Sequence, residues 1–264
     1  MKKLILSAAA LLLAAVMLLG CTAFAAGGGK TLRVGVRKNL ANFSVYNEQA
    51  DTYYGFEADL AAALADAMGY DGVEFVGVEP EEREVVLENG QADCLIAAYS
   101  YTDERAEQFD LSEPYYHDTG RVMIEKSTLF ETYADLRGCT VAVREGTTAA
   151  ANIAAKLAAE GLIASAGDIG SFLTVVTYDS YEAMNAALEY GDVDALCADG
   201  CITLPWLDSE RTYLDEAYSE EDYVIAAVKG DAMTGKIAAA LAVITDNGTL
   251  AQLEAKWGIS DAEA

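Results

Sequence analysis

Basic residues, histidine and proline are scarce in this chain. Of 264 residues, 17 are Lys or Arg against 43 Asp or Glu, three are proline and one is histidine, His117. The formal net charge is −26. Lys2 and Lys3 lie in the first 20 residues, which hold no acid, so the rest carries 15 bases and 43 acids, a balance of −28. Such a surface repels phosphate backbones, and no basic stripe is available to overcome the repulsion. Nucleic acid and anionic membrane surfaces are therefore set aside as partners. One histidine leaves little from which to build a histidine metal site or a histidine-centred triad, so neither metal nor cofactor is expected. With 53% hydrophobic residues and periodic apolar segments, the chain is not a disordered one. Its length suits one large domain or two small lobes.

Long apolar runs are absent except at the N-terminus. Met1-Lys2-Lys3 precedes the run Leu4–Leu19, interrupted only by Ser7 and too short to span a bilayer as a helix. A basic start, an apolar middle and small residues at the end describe an export signal. The ending Leu18-Leu19-Gly20-Cys21 resembles a bacterial lipoprotein box, which implies cleavage before Cys21, acylation of its sulfur and a membrane anchor there. The alternative is a plain signal cut near Ala23 or Ala26. Residues 21–30, with Gly27-Gly28-Gly29, form a flexible tether. Four later cysteines, Cys94, Cys139, Cys197 and Cys201, are an even number in an exported chain, which invites a disulfide. Cys94 and Cys197 sit in apolar runs that read as buried strands, where a free cysteine behaves as a small hydrophobe.

Strand and helix patterns alternate along the rest. Leu32–Val36 reads as a strand and Gly55–Met68 as a helix, with Leu60, Ala63, Leu64 and Met68 on one face and Glu57, Asp59 and Asp66 around it. Val73–Val78 is a strand, Glu81–Glu88 a short helix, Asp93–Ala98 a strand, Thr102 the start of a helical turn, and Val122–Ile124 a strand. A second set follows: strand Thr140–Val143, helix Thr147–Ala159, strand Leu173–Val176, helix Tyr181–Glu189, strands Val193–Ala198 and Tyr223–Val228, then helices Ala232–Ile244 and Leu250–Trp257. Two strand-helix-strand sets imply two α/β lobes with parallel sheets, and a ligand cleft at the carboxyl ends of the strands.

The segment Tyr101-Thr102-Asp103-Glu104-Arg105, continuing through Phe109-Asp110-Leu111-Ser112-Glu113-Pro114-Tyr115-Tyr116, closely resembles a motif of family 3 periplasmic solute-binding proteins, the polar amino acid receptors of ABC importers. Further matches follow that family's order: Gly55–Leu60, Arg144–Thr148, Gly191–Ala195 running to Asp199, and Gly248-Thr249-Leu250 with Lys256-Trp257-Gly258. The resemblance covers residues 30–260. It implies the type II periplasmic-binding-protein fold, two α/β lobes joined by a two-crossing hinge near residues 122–126 and 222–228. Residues 31–123 with 225–264 would form the first lobe and 124–224 the second.

The resemblance also implies a site. Arg105, in a turn capped by Thr102, would hold the α-carboxylate of an amino acid as a bidentate fork. Ser100 would offer its hydroxyl and N–H to the same ligand, and the Ala98 carbonyl would face its ammonium. The alternative for Ser100 is an ordinary strand end. Gly146-Thr147-Thr148 opens a helix directly after a strand and aims N–H groups at an anion. One of Thr147 and Thr148 would cap that helix, with Thr148 the ligand contact. Asp199 would pair the ammonium or, alternatively, cap the following turn. Tyr223 would add a hydroxyl near the same ammonium. Phe43 is either an aromatic wall under the ligand or core.

Side-chain selectivity falls to other arginines. Cation-binding members of the family carry an acid at the position of Arg37, so Arg37 disfavours lysine, arginine or histidinium. Arg83 resembles an arginine of aspartate- and glutamate-binding members, or else belongs to a solvated helix face with Glu79, Glu81, Glu82 and Glu84. Arg144 is a further cleft cation or an exposed residue. The resulting expectation is a monomeric, lipid-anchored, extracytoplasmic protein that closes on glutamate or aspartate and docks on a membrane permease driven by an ATPase. A neutral polar amino acid or cystine is the competing ligand. A dehydratase of the cyclohexadienyl type is the competing class, with Glu113 or Asp110 as its general acid.

Overall fold

The computed structural model describes residues 29–259. The signal segment, Cys21 and nearly all of the tether lie outside them. In β1 (Thr31–Arg37), Leu32, Val34 and Val36 are fully buried, while the intervening Arg33 pairs with Asp93. Three short strands, β2 (Asn39–Leu40), β3 (Ser44–Asn47) and β4 (Thr52–Tyr54), then make a small antiparallel sheet. It was not anticipated, because strands this short carry too few residues to display a period of two. Asn42 and Asp51 turn this segment at φ 63 and 50, a region that short polar side chains tolerate.

Helix Phe56–Ala67 buries Leu60, Ala61, Leu64 and Ala65 at helical spacing. It starts from Gly55 at φ 136, where a Cβ would collide with the Phe43 carbonyl. β5 (Gly72–Val78) returns parallel to β1, and β6 (Cys94–Leu95) pairs on the other side of β1. The strand expected over Asp93–Ala98 is therefore cut short. Beyond Leu95 the Glu57 carboxylate takes the Ala98 N–H, Arg83 takes the Ala97 and Ala98 carbonyls, and Ala98 sits at φ 46. Side chains satisfy these main-chain groups in place of a ladder.

β7 (Phe109–Glu125) is one 17-residue strand where only Val122–Ile124 was expected. β8 (Thr140–Arg144), helix Ala149–Ala159, β9 (Thr174–Tyr178), helix Tyr181–Tyr190 and β10 (Ala195–Asp199) follow close to their expected places. After the short β11 (Arg211–Tyr213), β12 (Ser219–Val228) leads back to helices Ala232–Asp246 and Thr249–Trp257.

The strand order β5-β1-β6-β12-β7-β10-β8-β9 has parallel sets at its two ends. Antiparallel β12 and β7 join them. β7 pairs with β12 up to Gly120 and with β10 from Gly120 to Ile124, so a single strand ties the two halves. One buried cluster runs from Leu32, Leu60 and Leu64 to Met184 and Leu196, and a second gathers Val122, Val141, Ile153, Leu157 and Cys197. Each such side chain contributes about 1.5–3 kcal/mol by leaving water. Cys94, Cys139 and Cys197 are buried, Cys201 is partly so, and all four are free. Among the described residues no helix is long and apolar enough to cross a membrane.

Candidate functional site

The carboxyl ends of β1 and β10 face each other across a space of about 250 Å³. Arg37, Arg83, Ala98, Ser100 and Arg105 line it from one half, and Thr147, Thr148, Tyr181 and Asp199 from the other. The sequence-predicted site residues thus converge, except for Phe43, Tyr223 and Arg144.

Arg105 lies on helix Asp103–Gln108, whose N-cap Thr102 accepts the Arg105 main-chain N–H at 3.1 Å. Its guanidinium stacks 4.0 Å from the Tyr99 ring, donates to the Ser100 carbonyl at 2.7 Å and approaches Glu84 at 3.5 Å. Its ion-pair partner is Glu84 rather than neighbouring Asp103 or Glu104. Held on three sides, the fork is fixed before any ligand arrives.

Arg83 behaves differently from either expectation. It is buried rather than on a solvated helix face, and its donors go to main-chain carbonyls: Nε to Pro80 at 3.0 Å, Nη1 to Ala97 and Ala98 at 3.1 and 2.7 Å, Nη2 to Gly146 at 2.9 Å. One of its five N–H groups remains for a ligand. Burial first, then the Arg105 and Arg37 charges, lower its pKa to about 9, so it stays charged at neutral pH. The surrounding acids are engaged elsewhere: Glu82 with Lys38, Glu84 with the Tyr99 hydroxyl.

Arg37 ends β1 with a buried Nε that has no hydrogen-bond partner, 5.8 Å from the Tyr181 ring. Behind it sits Glu57, fully buried although its helix position reads as surface. Glu57 accepts the Ala98 N–H and the Tyr115 hydroxyl, both at 2.6 Å, and the Ser44 hydroxyl at 3.4 Å. Burial pushes its carboxyl up to about 7, against the pull of those hydrogen bonds and of Arg37.

On the opposite wall, Asp199 makes no side-chain cap for the turn after it and accepts the Tyr223 hydroxyl at 2.5 Å. Burial, reinforced by nearby Glu221 and Asp118, holds its carboxyl well above the usual carboxylate range. A ligand ammonium would relieve that penalty. The Thr148 hydroxyl contacts the Glu221 carboxylate at 3.3 Å, and the buried Glu221 also takes Asn152 Nδ2 and Ser219 Oγ at 2.8 Å. The Thr147 hydroxyl donates to the Arg144 carbonyl at 2.8 Å. Thr148 stands at the N-cap with helical dihedrals and makes no side-chain capping bond. Main-chain N–H groups at this helix start therefore face the cleft without a threonine cap.

Three expectations need correction. Phe43 is core, 1% exposed and edge-on to Phe56, Tyr116 and Tyr223. Tyr223 is fully buried behind Asp199 and acts on the space only through that carboxylate. Arg144 is neither exposed nor free: it is buried and ion-paired with Glu79 and Glu81, both at 3.2 Å, across the space. Tyr181, Glu57 and Glu221 are the residues that sequence reasoning missed. Asp110 binds Gly230 and Thr234, Glu113 is exposed, and neither lines the space, which removes both nominated general acids.

Comparison with known proteins adds an independent finding. The family model for bacterial extracellular solute-binding proteins, family 3, matches residues 32–260. A glutamine-binding protein of Geobacillus stearothermophilus is 30% identical over 203 residues, 75% of this chain and 72% of that protein. An ancestral arginine-binding protein bound to arginine superposes with a TM-score of 0.72 at 28% identity, covering 86% of this chain and 97% of that one. An ancestral amino acid-binding protein described as a precursor of cyclohexadienyl dehydratase superposes with a TM-score of 0.71 at 25% identity, covering 86% and 94%.

Proposed function

The chain belongs to the bacterial extracellular solute-binding proteins, family 3, and has their two-lobed type II fold; from that premise we propose that it binds a free acidic amino acid between its lobes for an ABC importer. The observation that carries this reading is the convergence of Arg105 and Asp199, from opposite halves, on one small space. A fixed guanidinium fork and a carboxylate in want of a cation are complementary to the two charges of an α-amino acid.

In this reading Arg105, Ser100 and the helix start at Thr147-Thr148 hold the α-carboxylate. Asp199, backed by Tyr223, holds the ammonium, with the Ala98 carbonyl beside it. Arg37 and Tyr181 face the ligand side chain. Arg37, Arg83 and Arg105 leave positive charge in excess over Asp199, which favours glutamate or aspartate over a neutral or cationic side chain. Charge-assisted bonds are worth about 1.5–3 kcal/mol each, offset by desolvation and ordering, and a net of about −8 kcal/mol corresponds to micromolar affinity. The relatives named for glutamine and arginine are those proteins' own preferences. The competing dehydratase reading has no candidate acid on the wall of the space.

Closure follows from contacts that span the cleft, Arg83 to Gly146 and Arg144 to Glu79 and Glu81. The proposed lobes, 31–123 with 225–264 against 124–224, agree in outline with the sheet pairing, and the change of partner at Gly120 moves the crossing a few residues earlier in β7. A lipid anchor at Cys21, a monomeric state and docking on a permease and its ATPase complete the proposal.

The test is thermal stabilisation of the purified protein by glutamate, 2-oxoglutarate and 4-aminobutyrate. Glutamate should raise the melting temperature by several degrees, and the other two, each lacking one of the α-groups, should not. Equal stabilisation by 2-oxoglutarate would remove Asp199 from its role.

A further inference from the structure

A second and larger cavity, about 900 Å³ of open space, lies against the strand crossings. Asn42 and Ile259 wall it from one half, Leu204, Pro205 and Tyr213 from the other, and Arg121 from β7. Arg121 is the anomaly. Its guanidinium lies 4.8 Å from the Tyr213 ring, and its buried Nε has no hydrogen-bond partner. The ion-paired arginines among the described residues are Arg33, Arg105, Arg144 and Arg211, and Arg121 is not among them although acids outnumber bases 43 to 17. The same signature, a partnerless buried Nε and a guanidinium over a tyrosine ring, marks Arg37 in the amino acid cleft. A guanidinium removed from water without an acceptor is costly, and an incoming anion removes the cost.

The acids nearby do not supply that acceptor. Asp118 accepts the Thr119 N–H at 2.7 Å and the Cys201 N–H at 2.9 Å, and burial holds it toward its neutral form. Glu220 is exposed at the rim, and His117 is paired with Asp222 at 2.5 Å. The interior thus offers one cation and an apolar wall. We propose that this cavity is a second binding site, for a small monocarboxylate with an apolar body. The carboxylate would sit on Arg121 and the body against Leu204, Pro205 and Ile259. A dicarboxylate is disfavoured because its second charge would face Glu220.

Phenylacetate is a suitable probe, titrated calorimetrically into wild type, Arg105→Ala and Arg121→Gln, with melting curves to confirm folding. Saturable binding is expected in wild type and, within threefold, in Arg105→Ala, and at least tenfold weaker binding in Arg121→Gln. Leu204→Glu changes a side chain that is 45% exposed, leaves the core untouched and puts a like charge at the mouth. It should weaken phenylacetate at least fivefold, and it decides the question if Arg121→Gln does not fold. Absence of saturable binding overturns the proposal. So does loss of binding in Arg105→Ala, or unchanged binding in a folded Arg121→Gln or in Leu204→Glu.

Discussion

Arg83 and Gly146 meet across the cleft, guanidinium Nη2 to carbonyl at 2.9 Å. Gly146 sits at φ 70, and a Cβ there would run into the Glu81 main chain, so the approach requires glycine. The other bonds of Arg83 hold the carbonyls of Pro80, Ala97 and Ala98. Arg83→Ala strands those buried acceptors and should lower unfolding free energy by about 2–4 kcal/mol in urea denaturation. It should also weaken every amino acid ligand by a similar factor. A loss confined to acidic ligands would mean that its one remaining N–H reads the ligand side chain.

Arg37 is the better candidate for that reading, since its Nε is buried and unpaired where Arg83 is spent. Arg37→Met should weaken glutamate at least tenfold, from loss of one charge-assisted bond of about 1.5–3 kcal/mol, while changing glutamine by threefold or less. Parallel losses for both, measured by calorimetry, would make Arg37 structural.

Glu57 makes a pH-dependent contribution to stability. Its folded pKa of about 7 is raised from 4.5, so the folded state binds the proton more tightly than the unfolded one. The contribution is therefore present below about pH 4.5 and lost as pH rises through 7, by roughly 3 kcal/mol at most. Glu57→Gln lacks this dependence. Its stability deficit relative to wild type should shrink between pH 5 and pH 8; a deficit that stays constant would place the ordinary carboxylate pKa in the fold.

Asp199 links ligand binding to protons. Its carboxyl is held well above the usual range in the empty cleft, and an ammonium beside it favours the charged form. Binding should release protons, so affinity should fall as the solution is made more acidic. Calorimetry in two buffers of different ionisation enthalpy measures the release, and identical heats would deny it.

Much of this was legible in the sequence. Helix Phe56–Ala67 announced itself through Leu60 and Leu64, and Arg105 and Asp199 through motifs whose spacing the fold keeps. What escaped was set by partners distant in sequence. Glu57 looked like a surface acid beside Asp59, yet Tyr115, 58 positions on, and the Ala98 N–H bury it. Arg83 looked like one charge among glutamates because carbonyls, which every residue carries, leave no sequence signal. Tyr181 read simply as the start of a helix. Its place opposite Arg37 depends on how the two halves meet.

The central claim is an acidic amino acid held between Arg105 and Asp199 with Arg37 facing its side chain. Calorimetric titration of the purified wild-type protein with each of the common amino acids tests it most directly. Glutamate or aspartate should bind with a dissociation constant of about a micromolar, and arginine and lysine should not bind measurably. Tighter binding of glutamine or arginine than of either acidic amino acid would contradict it.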